Sequence, residues 1–308
     1  MSDFKELMNE MLNFIDAVGF TDEGAYNLRY NGSSYAHENS EHIRIVHKEQ
    51  GLGLDIYIDG NCDGEEVHIP VIVDRSGLRE KVLNDFHIED GAKATIAAGC
   101  GIHNCGDEDS QHDGVHTFYI GKNCDITYSE NHYGDGDGTG ARILNPVTNV
   151  YVGENSVFTL DTAQIKGVSS TNRQTHVELE DKAKLYVVEK LMTHEDQLAE
   201  SNIDVELKGE GSSAKIVSRA VAKESSRQVF HPAAIGKSKC NAHIQCDAII
   251  MDDAKVRSIP EIDAQNLNAA IIHEAAIGRI NDEQVLKLRT LGLTEDDAEA
   301  VIIDNFLN

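Results

Sequence analysis

Tryptophan is absent from this 308-residue sequence, aromatic residues of all kinds make up 6%, and there are four prolines. So few rings argue against a platform for stacking nucleic-acid bases and against an aromatic sugar groove. Positive charge is scarce too: 27 Lys and Arg stand against 53 Asp and Glu, a formal net charge of −26. That sign repels phosphates, which excludes DNA, RNA and anionic lipid as partners and leaves a basic protein as the kind attracted. Long apolar runs are also missing. Nothing approaches the roughly 18 uninterrupted apolar residues of a membrane span. The N-terminal stretch mixes acids into its apolar positions, without the basic start or apolar centre of a signal peptide, so the expected location is the cytoplasm. The composition that remains, 40% hydrophobic and 26% charged, suits a folded core in one or two domains.

Phe4, Leu7, Met8, Leu12 and Ile15 share one face of an amphipathic N-terminal helix. The middle of the chain then repeats itself. An apolar-x-apolar triplet, a polar turn and alternating apolar residues recur from Phe86, Phe118, Val150, Val177 and Val205, in steps of 32, 32, 27 and 28, with a shortened copy from Ile249. Short alternating strands broken by Gly, Asp and Asn corners at this period predict an all-β fold, a right-handed parallel β-helix whose coils complete one another's cores. A β-sandwich or cupin barrel is the rival. At the C-terminus, Asn281 and Gln284 form a capping box, Gly292 stops that helix, and Thr294 caps a second with Ala298, Val301, Ile302 and Phe306 on one side. The expected organisation is a helical segment over 1–41, a β-helix core over 42–260 and a helical subdomain over 261–308.

Two motifs are set aside. Gly236-Lys237-Ser238 lacks the P-loop glycine five residues earlier, where His231 stands, so this chain binds no ATP of its own. The run from Gly134 to Gly140 (GDGDGTG) lacks the distal Glu of a calcium loop and reads as a solvent loop. The six cysteines, Cys62, Cys100, Cys105, Cys124, Cys240 and Cys246, read as buried small residues or as sulfur and metal ligands rather than disulfides. Cys100, His103 and Cys105, with His112 and His116 nearby, form one soft-ligand group; a metal-dependent, cupin-like enzyme would use Cys100, His103, His112 and His116. Cys246 forms the other group. It lies about one coil before the His273–Glu274 pair, so stacking would let thiolate, imidazole and carboxylate converge.

The stretch His273 to Ile280 (HEAAIGRI), the run Asp282, Glu283, Gln284, Leu286, Arg289 and Gly292 to Glu295, and the pairs Cys246-Asp247 and Gly99-Cys100 resemble the SufB/SufD family. These are the scaffold proteins of the SUF iron–sulfur cluster assembly system. The family's tyrosine and serine of the helical stretch are absent; Lys287 and Thr290 stand nearby. The chain is shorter at its N-terminus than a long SufB and carries features of both SufB and SufD, like a minimal system with one scaffold. The resemblance implies a β-helix with helical ends and a scaffold rather than an enzyme. It implies Cys100 as the thiol that accepts sulfur, its neighbours Gly99 and Gly101 leaving room for a donor, and Cys246, Glu274 and His273 as cluster and metal ligands. It also implies a transient cluster, 4Fe–4S favoured over 2Fe–2S, built at a homodimer interface. The implied partners are a SufC-like ABC ATPase on the C-terminal helices, a sulfur donor such as a cysteine desulfurase, and apo-acceptor proteins.

Overall fold

The computed structural model describes residues 2–16, 19, 24–49 and 52–307, with the side chains of 2–6 and 282 outside the description. Two sheets wind together as a β-solenoid of about eight turns, with three helices at the termini. Among the described residues one sheet runs, in spatial order, β2 (Ser33–Glu38), β1 (Ala25–Tyr30), β5 (Asp63–Val73), β7 (Lys93–His103), β9 (Asp125–Asp135), β12 (Val157–Lys166), β14 (Lys184–Thr193), β16 (Ser213–Ala222), β18 (Asn241–Ile250) and β21 (Ala270–Gly278). The other runs β19 (Lys255–Ser258), β17 (Arg227–Gly236), β15 (Leu198–Leu207), β13 (Ser170–Leu179), β10 (Arg142–Leu144), β8 (Ser110–Ile120), β6 (Arg79–Ile88), β4 (Gly53–Ile58) and β3 (Ile43–His47); β11 (Val147–Val152) bridges β8 and β13, and β20 (Glu261–Ala264) pairs with β17. Pairing is parallel apart from β1 with β2 and β3 with β4. Consecutive strands of the coils therefore alternate between the two sheets, which a cupin's antiparallel barrel does not do.

The repeat read from sequence is the ladder itself. Ile56, Phe86, Phe118, Val150, Val177, Val205 and Ala234 lie in register on successive strands, and each is at most 1% exposed. The copy expected at Ile249 belongs to another column. Ile249 pairs with Val221 in the opposite sheet, and the corner after it leads into the sheet that the other copies leave. The unit in phase starts instead at Ala234.

The corners explain three of the cysteines. Gly91, Asn123, Asn155, Lys182 and Gly211 all adopt positive φ, and each N–H donates to the same corner one coil on, as in Asn123 N to Glu154 O at 3.1 Å. Gly and Asn carry this conformation at least cost. The next residue, Ala92, Cys124, Ser156, Ala183 or Ser212, turns inward under the corner; with Cys62 and Cys240 in the same place at the two ends of the column, all are at most 3% exposed. Their carbonyls accept from the strand starting above, as Cys124 O does from Val157 N at 2.8 Å. Alanine, serine and cysteine alternate there because only a small side chain fits. Burial pushes the thiols of Cys62, Cys124 and Cys240 up, so they pack as small apolar groups.

The limits of the solenoid differ from those expected. β1 and β2 lie within 1–41, and β20 and β21 lie within 261–308, because the coil after β18 still ladders onto β17 and β18. Helix α1 (Ser2–Ile15) buries Met11, Leu12 and Ile15 against Leu28, Ile72 and Tyr133; of the face predicted for it, the Phe4 side chain lies outside the described residues. Asn281 caps α2 (Asp282–Thr290) through Glu283 N at 2.8 Å, and Thr294 caps α3 (Glu295–Leu307) through Asp297 N at 3.1 Å. The buried face of α3 is Ala298, Ile303 and Leu307, the last two packed on Val221, whereas Val301 is 39% exposed. The predicted face is thus rotated, because α3 lies on the outer face of β16 rather than folding only on α2. Gly236, Lys237 and Ser238 form an ordinary corner, with Lys237 Nζ 2.6 Å from Glu206 Oε2.

Candidate functional site

The alternation of a strand decides which residues of Cys246's neighbourhood can meet. β18 and β21 lie side by side with Ile244 opposite His273 and Cys246 opposite Ala275. Cys246 and His273 both face the interior, and Cys246 Sγ sits 3.2 Å from His273 Nε2. Glu274, one residue on, faces out; its Oε2 is 3.5 Å from His243 Nε2 and its side chain is 65% exposed. The structure therefore joins two of the three expected ligands within one chain and turns the third to the outer surface. Burial pushes the Cys246 thiol up to about 11, with Asp247 and Glu189 adding to the rise. A metal bound there must displace that proton.

Cys246 closes a column that the sequence reading missed. Glu130, Thr162, Glu189, Ser218 and Cys246 occupy successive rungs of one inward-facing line, each at most 4% exposed. Arg173 enters from the opposite sheet. It pairs with Glu130, donates to His132 Nδ1 at 3.3 Å, and lies 3.9 Å from Glu189 Oε1. Glu189 also accepts from Ser201 at 2.6 Å and Ser218 at 3.0 Å. Burial would raise the Glu130 carboxyl, but Arg173 and His132 outweigh it and hold the group well below the usual carboxylate range. One guanidinium thus serves two carboxylates in the core, where an unpaired charge is costly. The signal was available: Ala98, Glu130, Thr162 and Glu189 each stand twelve residues after a repeat start.

Cys100 lies at the other end of this interior. Its strand neighbour is His132, on the rung of Ala98 and Glu130, five rungs from Cys246. At about 4.8 Å per rung the two thiols are separated by roughly 24 Å. Cys100 is 3% exposed and borders a cavity of about 20 Å³ with His112, His116, Glu130 and His132, room for one water molecule. Burial and the nearby carboxylates of Glu80, Glu130 and Asp113 push its thiol well above the usual range. The approach expected beside Gly99 and Gly101 is closed. A side chain at Gly99 would meet Ile15 O at 2.1 Å, and one at Gly101 would meet Met11 Cε at 2.5 Å. These glycines face outward and seat α1.

His103 parts company with His112 and His116. It lies 3.0 Å from the exposed Cys105, whereas the other two are buried in the interior, where Glu80 Oε1 is 3.0 Å from His112 Nδ1. Among the described residues no three His, Cys, Asp or Glu side chains are placed to hold a metal ion, so the group expected of a cupin-like enzyme does not converge.

The family model for the SUF system FeS cluster assembly SufBD core domain matches residues 82–306. The chain belongs to the SufBD family. Similar proteins include an iron–sulfur cluster assembly SufBD family protein of Methanothermobacter thermautotrophicus, 28% identical over 240 residues, which are 74% of this chain and 56% of that one. Others come from Archaeoglobus fulgidus (25% identity, 88% of this chain, 72% of the relative) and Pyrococcus horikoshii (25%, 86% and 80%). The chain thus spans little more than half the length of the Methanothermobacter protein. Membership of the SufBD family implies a role in iron–sulfur cluster assembly. No helix among the described residues is long and apolar enough to cross a membrane.

Proposed function

We propose that this chain is a scaffold on which an iron–sulfur cluster is built and from which it passes to apo-acceptor proteins, with no turnover of its own. The observation that carries the reading is the contact of Cys246 with His273, a soft thiol and an imidazole 3.2 Å apart, on the last two strands of their sheet. A thiolate and an imidazole from each of two copies hold a cluster less firmly than four cysteines, which suits cargo that must leave. A 4Fe–4S cluster is favoured over 2Fe–2S. Sulfur reaches the chain at the Gly99–Cys105 segment from a donor such as a cysteine desulfurase, and iron binds near Cys246. Leu288, Leu291, Val301 and Phe306 of the α2–α3 pair line an open groove with Ile249, where Leu291 and Val301 are exposed. That groove receives a SufC-like ABC ATPase, whose closure strains the scaffold.

Anaerobic reconstitution with ferrous iron and sulfide tests this. The parent should acquire iron, acid-labile sulfide and cluster absorbance; Cys246→Ala should acquire none, His273→Ala less than the parent, and Cys240→Ala, altered only at a packed corner, as much. Equal loading of Cys246→Ala and the parent would overturn the assignment.

A further inference from the structure

Cys105 is the exposed one of the six cysteines, and it has company. Its Sγ lies 3.0 Å from His103 Nε2. On the far side of that ring, Nδ1 lies 3.9 Å from Asp135 Oδ2. A thiol touching an imidazole is the arrangement by which a base takes a nucleophile's proton; the Asp135 carboxylate lies at ion-pair distance, beyond hydrogen-bond reach of the ring.

The loop that carries the thiol is firmly built. Asn104 is fully buried; its Nδ2 donates to Glu108 O at 2.9 Å, and its Oδ1 accepts from Gly106 N at 3.0 Å. The glycine-rich run expected to be a solvent loop lies on top of it. Gly138 N donates to Asn104 O at 3.1 Å and Gly140 N to Gly106 O at 3.0 Å. A Cβ at Gly136 or Gly138 would come within 2.4 Å of the backbone beneath, so glycine is required for the two loops to stack. The same stacking, through Asn104 N to Asp135 O at 2.9 Å, brings Asp135 up to His103. The site is thus preorganised on the surface, while Cys100 faces the closed interior.

We propose that Cys105, with His103 as its base, is where sulfur first becomes covalently attached to this chain, delivered by a persulfide. This rests on the assembly role proposed above and assigns the sulfur-accepting step to Cys105 instead of Cys100. The Cys105 proton passes to His103 Nε2, and the thiolate attacks the terminal sulfur of the donor's R–S–SH. The donor S–S bond breaks as the Cys105 S–S bond forms. The leaving thiolate takes back the proton from the imidazolium. One sulfane sulfur moves, and no net oxidation or reduction occurs.

The test uses the full chain under argon with glutathione persulfide as probe, followed by alkylation and peptide mass mapping. The added sulfur should sit on Cys105, be absent from Cys105→Ser, and be unchanged in Cys100→Ser. His103→Gln should slow its arrival about tenfold at neutral pH and move the rate's pH midpoint upward. Sulfur found on Cys100 in both the parent and Cys105→Ser, or a His103→Gln variant as fast as the parent at every pH, would overturn the proposal. Loading with free sulfide and ferrous iron bypasses this step, so Cys105→Ser should then match the parent. A parent that loads no cluster that way, yet takes persulfide at Cys105, would sink the scaffold reading and leave the thiol chemistry standing.

Discussion

His116 lies inside the solenoid, 6% exposed, its ring 6.1 Å from that of Phe86 and 5.8 Å from that of Tyr128. Burial pushes its imidazole down to about 4, against the opposing pull of Glu130. The unfolded ring titrates near pH 6.5. Between about 4 and 6.5 the unfolded chain therefore binds a proton that the folded chain refuses. The neutral ring's contribution is complete above that window and is lost as pH falls through it, by on the order of 3 kcal/mol across its whole width. Between about pH 7 and pH 5 the thermal midpoint of the parent should therefore drop further than that of His116→Gln. Equal drops would mean that the ring is already charged in the fold. The neighbouring Glu130, held well below the usual carboxylate range by Arg173 and His132, is common to both proteins and so does not set the difference between them.

At the scale of elements, α1 on β7 offers a sharper test than any single contact in the core. At Gly99 the obstacle to a side chain is backbone, Ile15 O at 2.1 Å and Asn131 O at 2.8 Å; at Gly101 it is the flexible end of Met11. Gly99→Ala should therefore cost about 1–3 kcal/mol and loosen α1. Gly101→Ala should cost less, because Met11 can swing aside. Thermal melts and the rate of proteolytic release of the N-terminal segment check the order. The reverse order would mean that α1 does not rest on β7 in solution. Such a contact leaves no local mark in the sequence, since glycine reads equally well as a corner or as an open approach. The solenoid was legible for the opposite reason: its register repeats in every coil, so Phe86, Phe118 and Val150 announce it with their spacing alone. The site fell between these cases. Cys246 and His273 were legible as one coil apart, but the outward turn of Glu274 follows only once 270–278 is a strand, and that stretch reads as part of a helical end. Cys105 and His103 were legible as neighbours in one soft-ligand group, but Asp135 joins them only through the pairing of the last residues of β7 and β9.

The molecule as a whole ends unevenly. In the last coil Ile262, Ile272 and Ile277 are 47%, 55% and 42% exposed, and Leu267 is fully so. β21 ends its sheet in the described chain, so its outer edge offers unpaired backbone groups beside these apolar side chains. Such an edge is a template for pairing, and His273 stands on it. A two-fold axis perpendicular to the sheet beside β21 would set two such edges antiparallel and join the two interiors, so that the Cys246–His273 pairs of both copies approach one another while Glu274 stays on the outer face; this is the proposed homodimer. The net charge of −26 opposes two copies meeting, so association should strengthen as salt screens the repulsion. An interface held mainly by ion pairs would respond the other way. Light scattering at micromolar concentration should give the mass of two chains. Leu267→Lys with Ile272→Lys should give the mass of one, with the β-rich circular dichroism intact and cluster loading reduced. A monomeric parent, or a lysine variant that still pairs, would remove the dimer. Cys246 and His273 would then have to hold their cargo without a second copy.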